Sequence, residues 1–215
     1  MDYPRIGYDI VVNNIEPGSR VLDLGCGDGI LLQRLQEERD VEGFGVEISS
    51  EGVSQCVEKG LYCYQGDIDD GLSDYRDNSF DYVILNQTLQ STKKPVYVIR
   101  EIMRIARNAV ISFPNFAHRS IRFHILMRGT MPVNKLLPYE WYDTPNIHLL
   151  TIRDFRAHCV NNRYPVKKEV HFSANGQCQS RPVHFIPNLF AEYGFFILDG
   201  TPFTSQNITH DRETV

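Results

Sequence analysis

Three glycines, each one residue apart, close an apolar run at Val21-Leu22-Asp23-Leu24-Gly25-Cys26-Gly27-Asp28-Gly29. Glycines there permit a tight turn and let a ligand approach the backbone. The spacing is not the dinucleotide fingerprint, which needs glycine where Ile30 stands, and no Walker lysine follows. Acidic residues recur where later apolar runs end. Glu47 lies roughly 20 residues past the loop, where a carboxylate can take both hydroxyls of a ribose. Asp67, followed by Ile68, closes the next run, and Asp23 lies just below the loop. Such a lining discourages a pyrophosphate. It suits a cationic ligand with a ribose, an adenine and an ammonium group, and S-adenosylmethionine is one. The competing reading is a strand–helix turn that binds nothing.

These residues need elements to hold them. Arg20 to Leu24, Phe44 to Glu47, Leu61 to Gln65, Phe80 to Leu85 and Ala109 to Phe113 read as short buried strands. Between them lie helical patterns. Leu31, Leu32 and Leu35 mark one, Ser49 or Ser50 caps a second over Glu51 to Lys59, and Pro95 to Ala106 gives a third with Val96, Ile99 and Met103 on one face. Strands alternating with helices imply an α/β fold with a doubly wound, mostly parallel sheet. Its ligand crevice opens at the carboxyl ends of the strands. From Asn115 to Leu150 the alternation lapses, and a connection of that length is usually functional or partly helical. Thr151 to Asn161 reads as a helix, and Val166 to Phe172 and Tyr193 to Leu198 as late strands.

The 215 residues suit one domain, with 115–150 as an insert covering the pocket and 204–215 as a polar, flexible tail. Hydrophobic residues at 42% and charged ones at 23% exclude a disordered chain or a disulfide scaffold. No apolar run is long enough for a membrane span, and the first residues do not resemble a signal peptide. The five cysteines, at 26, 56, 63, 159 and 178, form no C-x-x-C pair, so neither a zinc knuckle nor a redox motif is expected. They read as reduced thiols of a cytoplasmic protein. Charge is uneven: residues 1–92 carry 18 acidic and 6 basic side chains, residues 93–135 carry 9 basic ones and only Glu101. The acidic first half argues against nucleic acid as a partner.

The loop and its acids resemble the class I S-adenosylmethionine-dependent methyltransferases over residues 1 to about 114. By that resemblance Gly25, Cys26 and Gly27 approach the methionine part, and Ile48 and Ile68 pack on the adenine. Asp67 accepts from the adenine amino group, and Asn86 and Gln87 line the floor near the sulfonium. Asn86-Gln87-Thr88-Leu89-Gln90 lacks the Pro-Pro-aromatic stretch usual in enzymes that methylate adenine or glutamine nitrogen. Longer stretches carry a narrower match: Gly66-Asp67-Ile68-Asp69, Phe80 to Gln90, Ile111 to Phe116, Met131-Pro132-Val133 and Leu137 to His148. Together they resemble the MetW family of methionine biosynthesis, from about Ile15 to about Phe196. Arg119, where members often have an aromatic, and the tail after Gly200 depart from it.

That resemblance implies association with homoserine O-acyltransferase (MetX), and leaves two classes open: an accessory subunit that senses S-adenosylmethionine or S-adenosylhomocysteine, or an autonomous methyltransferase on a small molecule. No nucleophile elbow G-x-S-x-G is present, so the chain is not the acyltransferase itself. Trp141 to His148 reads as a pocket wall or lid, or else a packed cap. Arg100, Arg104 and Arg107 fall at i, i+4 and i+7: a solvated face, a docking face for an acidic partner or, though no stacking aromatics interleave with them, an RNA contact. Six of the twelve phenylalanines lie in 172–203, most expected in the core of the late strands.

Overall fold

The computed structural model describes residues 5–174 and 180–201. Its strands are β1 (Arg20–Leu24), β2 (Glu42–Glu47), β3 (Tyr62–Gln65), β4 (Phe80–Asn86), β5 (Ala106–Pro114), β6 (Val166–Ala174), β7 (Ser180–Pro182) and β8 (Tyr193–Asp199). They form one sheet in the order β3-β2-β1-β4-β5-β8-β6-β7. The pairs from β3 through β5 are parallel, and β8 returns antiparallel between β5 and β6. The strand order reverses between β1 and β4, which sets the ligand crevice at their carboxyl ends.

The helices are α1 (Tyr8–Asn14), α2 (Ile30–Arg39), α3 (Ser50–Glu58), α4 (Pro95–Ile105), α5 (Arg119–Arg128), α6 (Ile152–Asn161) and the short α7 (Pro187–Phe190). Side chains alternate across a strand, so each central strand feeds two cores. Val83 and Leu85 pack with Val98, Ile99, Ile102 and Phe155 of α4 and α6. Tyr82 and Ile84 face the other way, with Val11, Val12, Leu31 and Leu35 of α1 and α2. Local chemistry starts the helices where the sequence suggests: the Ser49 hydroxyl caps α3 and Pro95 opens α4. Thr151 and Asp154 form a reciprocal capping box on α6.

Asp69 does what no residue inside α4 could. Its buried carboxylate accepts from the backbone amides of Lys93 and Lys94 at 2.9 and 2.8 Å. It thereby joins the turn after β3 to the start of α4, where amide groups lack helical partners.

Two expectations need correction, and a third is met only in part. Val96 is exposed, while Ile99 and Met103 are buried as expected. Ile105 ends α4, and β5 begins at the next residue, so Arg107 lies on a strand. Of the late phenylalanines, Phe172, Phe195 and Phe196 are core, but Phe185 is exposed. Phe203, Cys178 and the tail 204–215 lie outside the described residues. Sequence patterns also passed over α1, α5, α7 and β7. Among the described residues no helix is long and apolar enough to cross a membrane.

Candidate functional site

The glycine loop leaves β1 and folds over the end of β2. The amides of Gly25 and Cys26 both donate to the Val46 carbonyl, at 2.8 and 3.2 Å. Gly25 takes φ +75°, and a Cβ there would lie 2.8 Å from the Thr88 side chain. Only glycine meets both demands without strain. Gly29, also left-handed, caps α2.

Glu47 ties this loop to the next helix. Its Oε2 accepts from the Gly27 amide at 3.0 Å and its Oε1 from the Ser49 amide at 2.9 Å. The side chain is buried. Each carboxylate oxygen keeps further lone-pair capacity for a donor from a ligand. Asp23 is more deeply buried, at 2% exposure. Burial first, then the negative charges of Cys56 and Glu47, push its pKa up to about 7. A cation beside it would favour its ionised form.

Tyr8 of α1 joins this group. Burial above all, and then the Asp23 carboxylate, raise its phenol well above the ordinary range. The sequence signal was present: Tyr8, Val11, Val12 and Ile15 fall at i, i+3, i+4 and i+7, the spacing of a helix face against the core.

Farther along the sheet's edge, Asp67 accepts the Asp69 amide at 2.9 Å and faces the Lys93 ammonium at 3.7 Å. Ile68 packs partly on the core, and Ile48 is exposed. At the end of β4, the Asn86 side-chain oxygen Oδ1 accepts from the Ser112 hydroxyl, and Gln87 takes φ +57° with its backbone amide donating to the Ser112 carbonyl at 3.0 Å. These positions share the carboxyl end of the sheet with the glycine loop, as the topology requires.

The insert is fastened there too. Ile147 and His148 donate their amides to the Gln90 carbonyl at 2.9 and 3.0 Å. His148, Leu150, Asp154 and His158 line a cavity of about 310 Å³ beside α4 and α6. The buried Nε2 atoms of His148 and His158 and the Gln90 Oε1 have no partner among the described residues. The Asn162 amide sits 3.3 Å from His158 Nδ1, which leaves Nε2 as the protonated nitrogen. Burial lowers the His158 pKa, so the ring stays neutral. Trp141 and Tyr142, by contrast, stand in solvent, 74% and 72% exposed. His148 of this segment lines that cavity.

The arginine face does not exist as a unit. Arg104 is largely buried, paired with Glu101 at 2.8 Å and with Asp77, and it donates to the Leu72 and Tyr75 carbonyls. Arg107 pairs with Asp81 from β5. Arg100 on α4 and Arg107 on β5 are the exposed two of the three.

The cysteines also differ from expectation. Cys26, Cys56 and Cys63, far apart in sequence, lie together behind the loop, with all three sulfurs within 4.8 Å of one another. Hydrogen bonding from Cys26 makes Cys56 the most acidic of them, and the same contact raises Cys26.

A family model described as methionine biosynthesis protein MetW matches residues 5–198. The bifunctional methionine biosynthesis protein MetXA/MetW of Rhodopirellula baltica is 36% identical over 88% of this chain and 33% of that protein. A ubiquinone biosynthesis O-methyltransferase of Methylococcus capsulatus is 27% identical over 59% of this chain and 55% of that protein. The chain thus spans between a third and about half the length of these relatives. Among solved structures, an S-adenosylmethionine-dependent methyltransferase from Thermotoga maritima is similar at TM-score 0.65 and 14% identity, over 91% of this chain and 90% of that one. One from Mesorhizobium loti is similar at TM-score 0.65 and 14% identity, over 90% and 97%. At such identities the likeness concerns the fold.

Proposed function

The chain belongs to the MetW family, and on that premise we propose that it binds S-adenosylmethionine, or S-adenosylhomocysteine, and acts as an accessory subunit of homoserine O-acyltransferase (MetX) in methionine biosynthesis. The observation that carries the ligand is Glu47. Its buried carboxylate holds the Gly27 amide at 3.0 Å, so the loop and the ribose-binding acid form one rigid unit. A pre-ordered site loses less entropy on binding. The residues present fit the ligand: acids for its cationic groups, and a loop whose Gly25 leaves no Cβ in the way.

In this reading Asp23, Gly25, Cys26 and Gly27 face the methionine part, and Glu47 takes the ribose. Ile48, Ile68 and Asp67 hold the adenine, and Asn86 and Gln87 lie near the sulfonium. The bound ligand would supply an electrophilic methyl group. What this chain supplies is position and a negative lining, with 1–215 as one domain and 115–150 as its cap. The four described cysteines are free thiols, which accords with a cytoplasmic protein.

The partner rests on a different support. The Rhodopirellula baltica relative is named for MetXA and MetW together, and this chain aligns with a third of it. Fusion is one covalent way of keeping two associating proteins at high effective concentration. The second reading, an autonomous methyltransferase on a small molecule, draws on the cavity beside His148 and His158, which has room for an acceptor.

Co-purification from the native host, then an acyltransferase assay with and without this chain, separates the two. A complex that alters acyltransferase activity supports the accessory role. S-adenosylhomocysteine released on adding one metabolite, with no complex in a pull-down, would overturn it. Calorimetry showing no binding at millimolar S-adenosylmethionine would remove the ligand assignment from both.

A further inference from the structure

Cys26, Cys56 and Cys63 come from three elements: the glycine loop, α3 and β3. Cys26 Sγ lies 3.8 Å from Cys56 Sγ and 3.6 Å from Cys63 Sγ. The cofactor reading uses the backbone of Cys26 and none of the three thiols. We propose that these thiols form a binding site for one soft divalent cation of the zinc class.

The separations are those of a ligand set. A zinc–thiolate bond is about 2.3 Å, so two thiolates on one tetrahedral ion sit roughly 3.8 Å apart. The third side of the triangle, within 4.8 Å, needs to close by at most about 1 Å, which a χ1 adjustment supplies. A disulfide would need about 2.05 Å, far inside the observed distances. Three thiols on one small centre are a soft donor set, which suits zinc-class ions rather than magnesium or calcium.

The surroundings leave space for an ion and give it a way in. Leu32 and Leu61 pack around Cys26 and Cys56 and exclude water from the inner side. Gly45 keeps the middle open: a Cβ there would lie 2.6 Å from Cys26 Sγ and 3.4 Å from Cys63 Sγ. Cys63 is half-buried on β3, the edge strand of the sheet. An ion enters past it, and the fourth coordination position, facing that side, takes a water. Binding a divalent cation releases three thiol protons and leaves a site charge of −1. Lys59 stands nearby, its ammonium donating to the Asp28 carbonyl at 2.7 Å, and offsets that charge.

The test titrates the reduced, metal-free full chain with cadmium(II), read by thiolate-to-cadmium charge-transfer absorption, and with zinc(II) in competition with a chelating dye. One equivalent per chain is expected, both in the wild type and in the Cys159→Ala, Cys178→Ala double variant. Cys26→Ala, Cys56→Ala and Cys63→Ser should each weaken binding by more than about 100-fold, since even a supporting contact is worth about 10–100-fold. Cys63→Ser touches the least buried thiol, and its thermal unfolding without metal should match the wild type. Gly45→Ala should also weaken cadmium binding, with every cysteine retained. Wild-type affinity in Cys63→Ser, stoichiometry that falls in the double variant, or no uptake at micromolar cadmium would each overturn the site.

Discussion

The glycine-loop end of the sheet and the 115–150 insert treat their side chains in opposite ways. At the loop, Asp23, Glu47 and Asp69 are acids taken out of water, and Glu47 and Asp69 each accept two backbone amides. The cost of burying Glu47 and Asp69 is offset by these bonds, which fix the local backbone. Along α5 and the stretch after it, Phe123, Leu126, Met127, Trp141 and Tyr142 stand in solvent, Leu126 80% exposed. Only Ile121 of α5 is buried. Clustered exposed apolar side chains mark surfaces that meet another macromolecule. In the proposed reading, one end serves a metabolite and the other a partner.

The sharpest way to break this division is inside the parallel half, at Arg104. Its guanidinium reaches two carboxylates and two carbonyls and is 12% exposed. Arg104→Ala leaves Glu101 buried without its partner, which costs about 3–5 kcal/mol. Arg100→Ala, on the exposed side of the same helix, should stay within about 0.5 kcal/mol. Urea unfolding of both variants decides. Equal effects would mean that the network contributes nothing beyond a surface pair.

A second test uses pH. The Asp23 pKa is raised to about 7, above its unfolded value near 3.9. The folded state therefore binds the extra proton between those values. Stability contributed by this group is full below about pH 4, falls as pH rises, and levels off above about pH 7. The whole window is worth on the order of 4 kcal/mol. Asp23→Asn should remove that slope from urea-derived stabilities measured between about pH 5 and pH 8. A variant whose stability tracks the wild type across the range would place the pH dependence elsewhere.

Much of this division was legible in the residues. Buried strands and amphipathic helices give strong periodic signals, so β1 to β5 and α2 to α4 fall within a few residues of the patterns. The loop and its acids were legible because their types are chemically constrained. What was not legible depends on contacts far apart in sequence. Arg104 and Arg107 share a helical spacing, yet one residue after Ile105 the chain is a strand, and burial makes Arg104 structural. Cys26, Cys56 and Cys63 show no short-range pattern, because the sheet order and not the sequence brings them together. His148 and His158, ten residues apart, line one cavity because the segment before α6 folds back beside that helix. The exposed face of α5 was not legible because its apolar residues follow no core-facing period.

A smaller effect is expected at Glu47. Glu47→Ala removes the acceptor for the Gly27 and Ser49 amides along with the proposed ribose contact. Charge-assisted bonds of this kind are worth about 1.5–3 kcal/mol, or on the order of 10- to 100-fold in S-adenosylmethionine affinity. Calorimetry measures it directly. Unchanged binding would remove Glu47 from the ligand site and leave it as a clamp between loop and α3.

The smallest effect on the chain itself belongs to the insert. Leu126→Ser and Trp141→Ser change side chains that solvent already surrounds. Trp141 has the Tyr142 ring as its aromatic neighbour, at 5.6 Å. Each variant should shift unfolding free energy by less than about 0.5 kcal/mol. S-adenosylmethionine affinity should also hold, because neither side chain is among the proposed ligand contacts. Binding to the acyltransferase should respond differently. Large apolar side chains at the centre of an interface commonly cost about 2 kcal/mol or more when truncated, some 30-fold in Kd. The loss should appear in the dissociation rate, since apolar contacts act after encounter. Arg100→Glu, on the exposed side of α4, should leave that rate unchanged. Surface plasmon resonance with immobilised acyltransferase reads all three variants side by side. If Arg100→Glu weakens the complex while Leu126→Ser and Trp141→Ser do not, α4 is the partner face and the exposed insert serves something else.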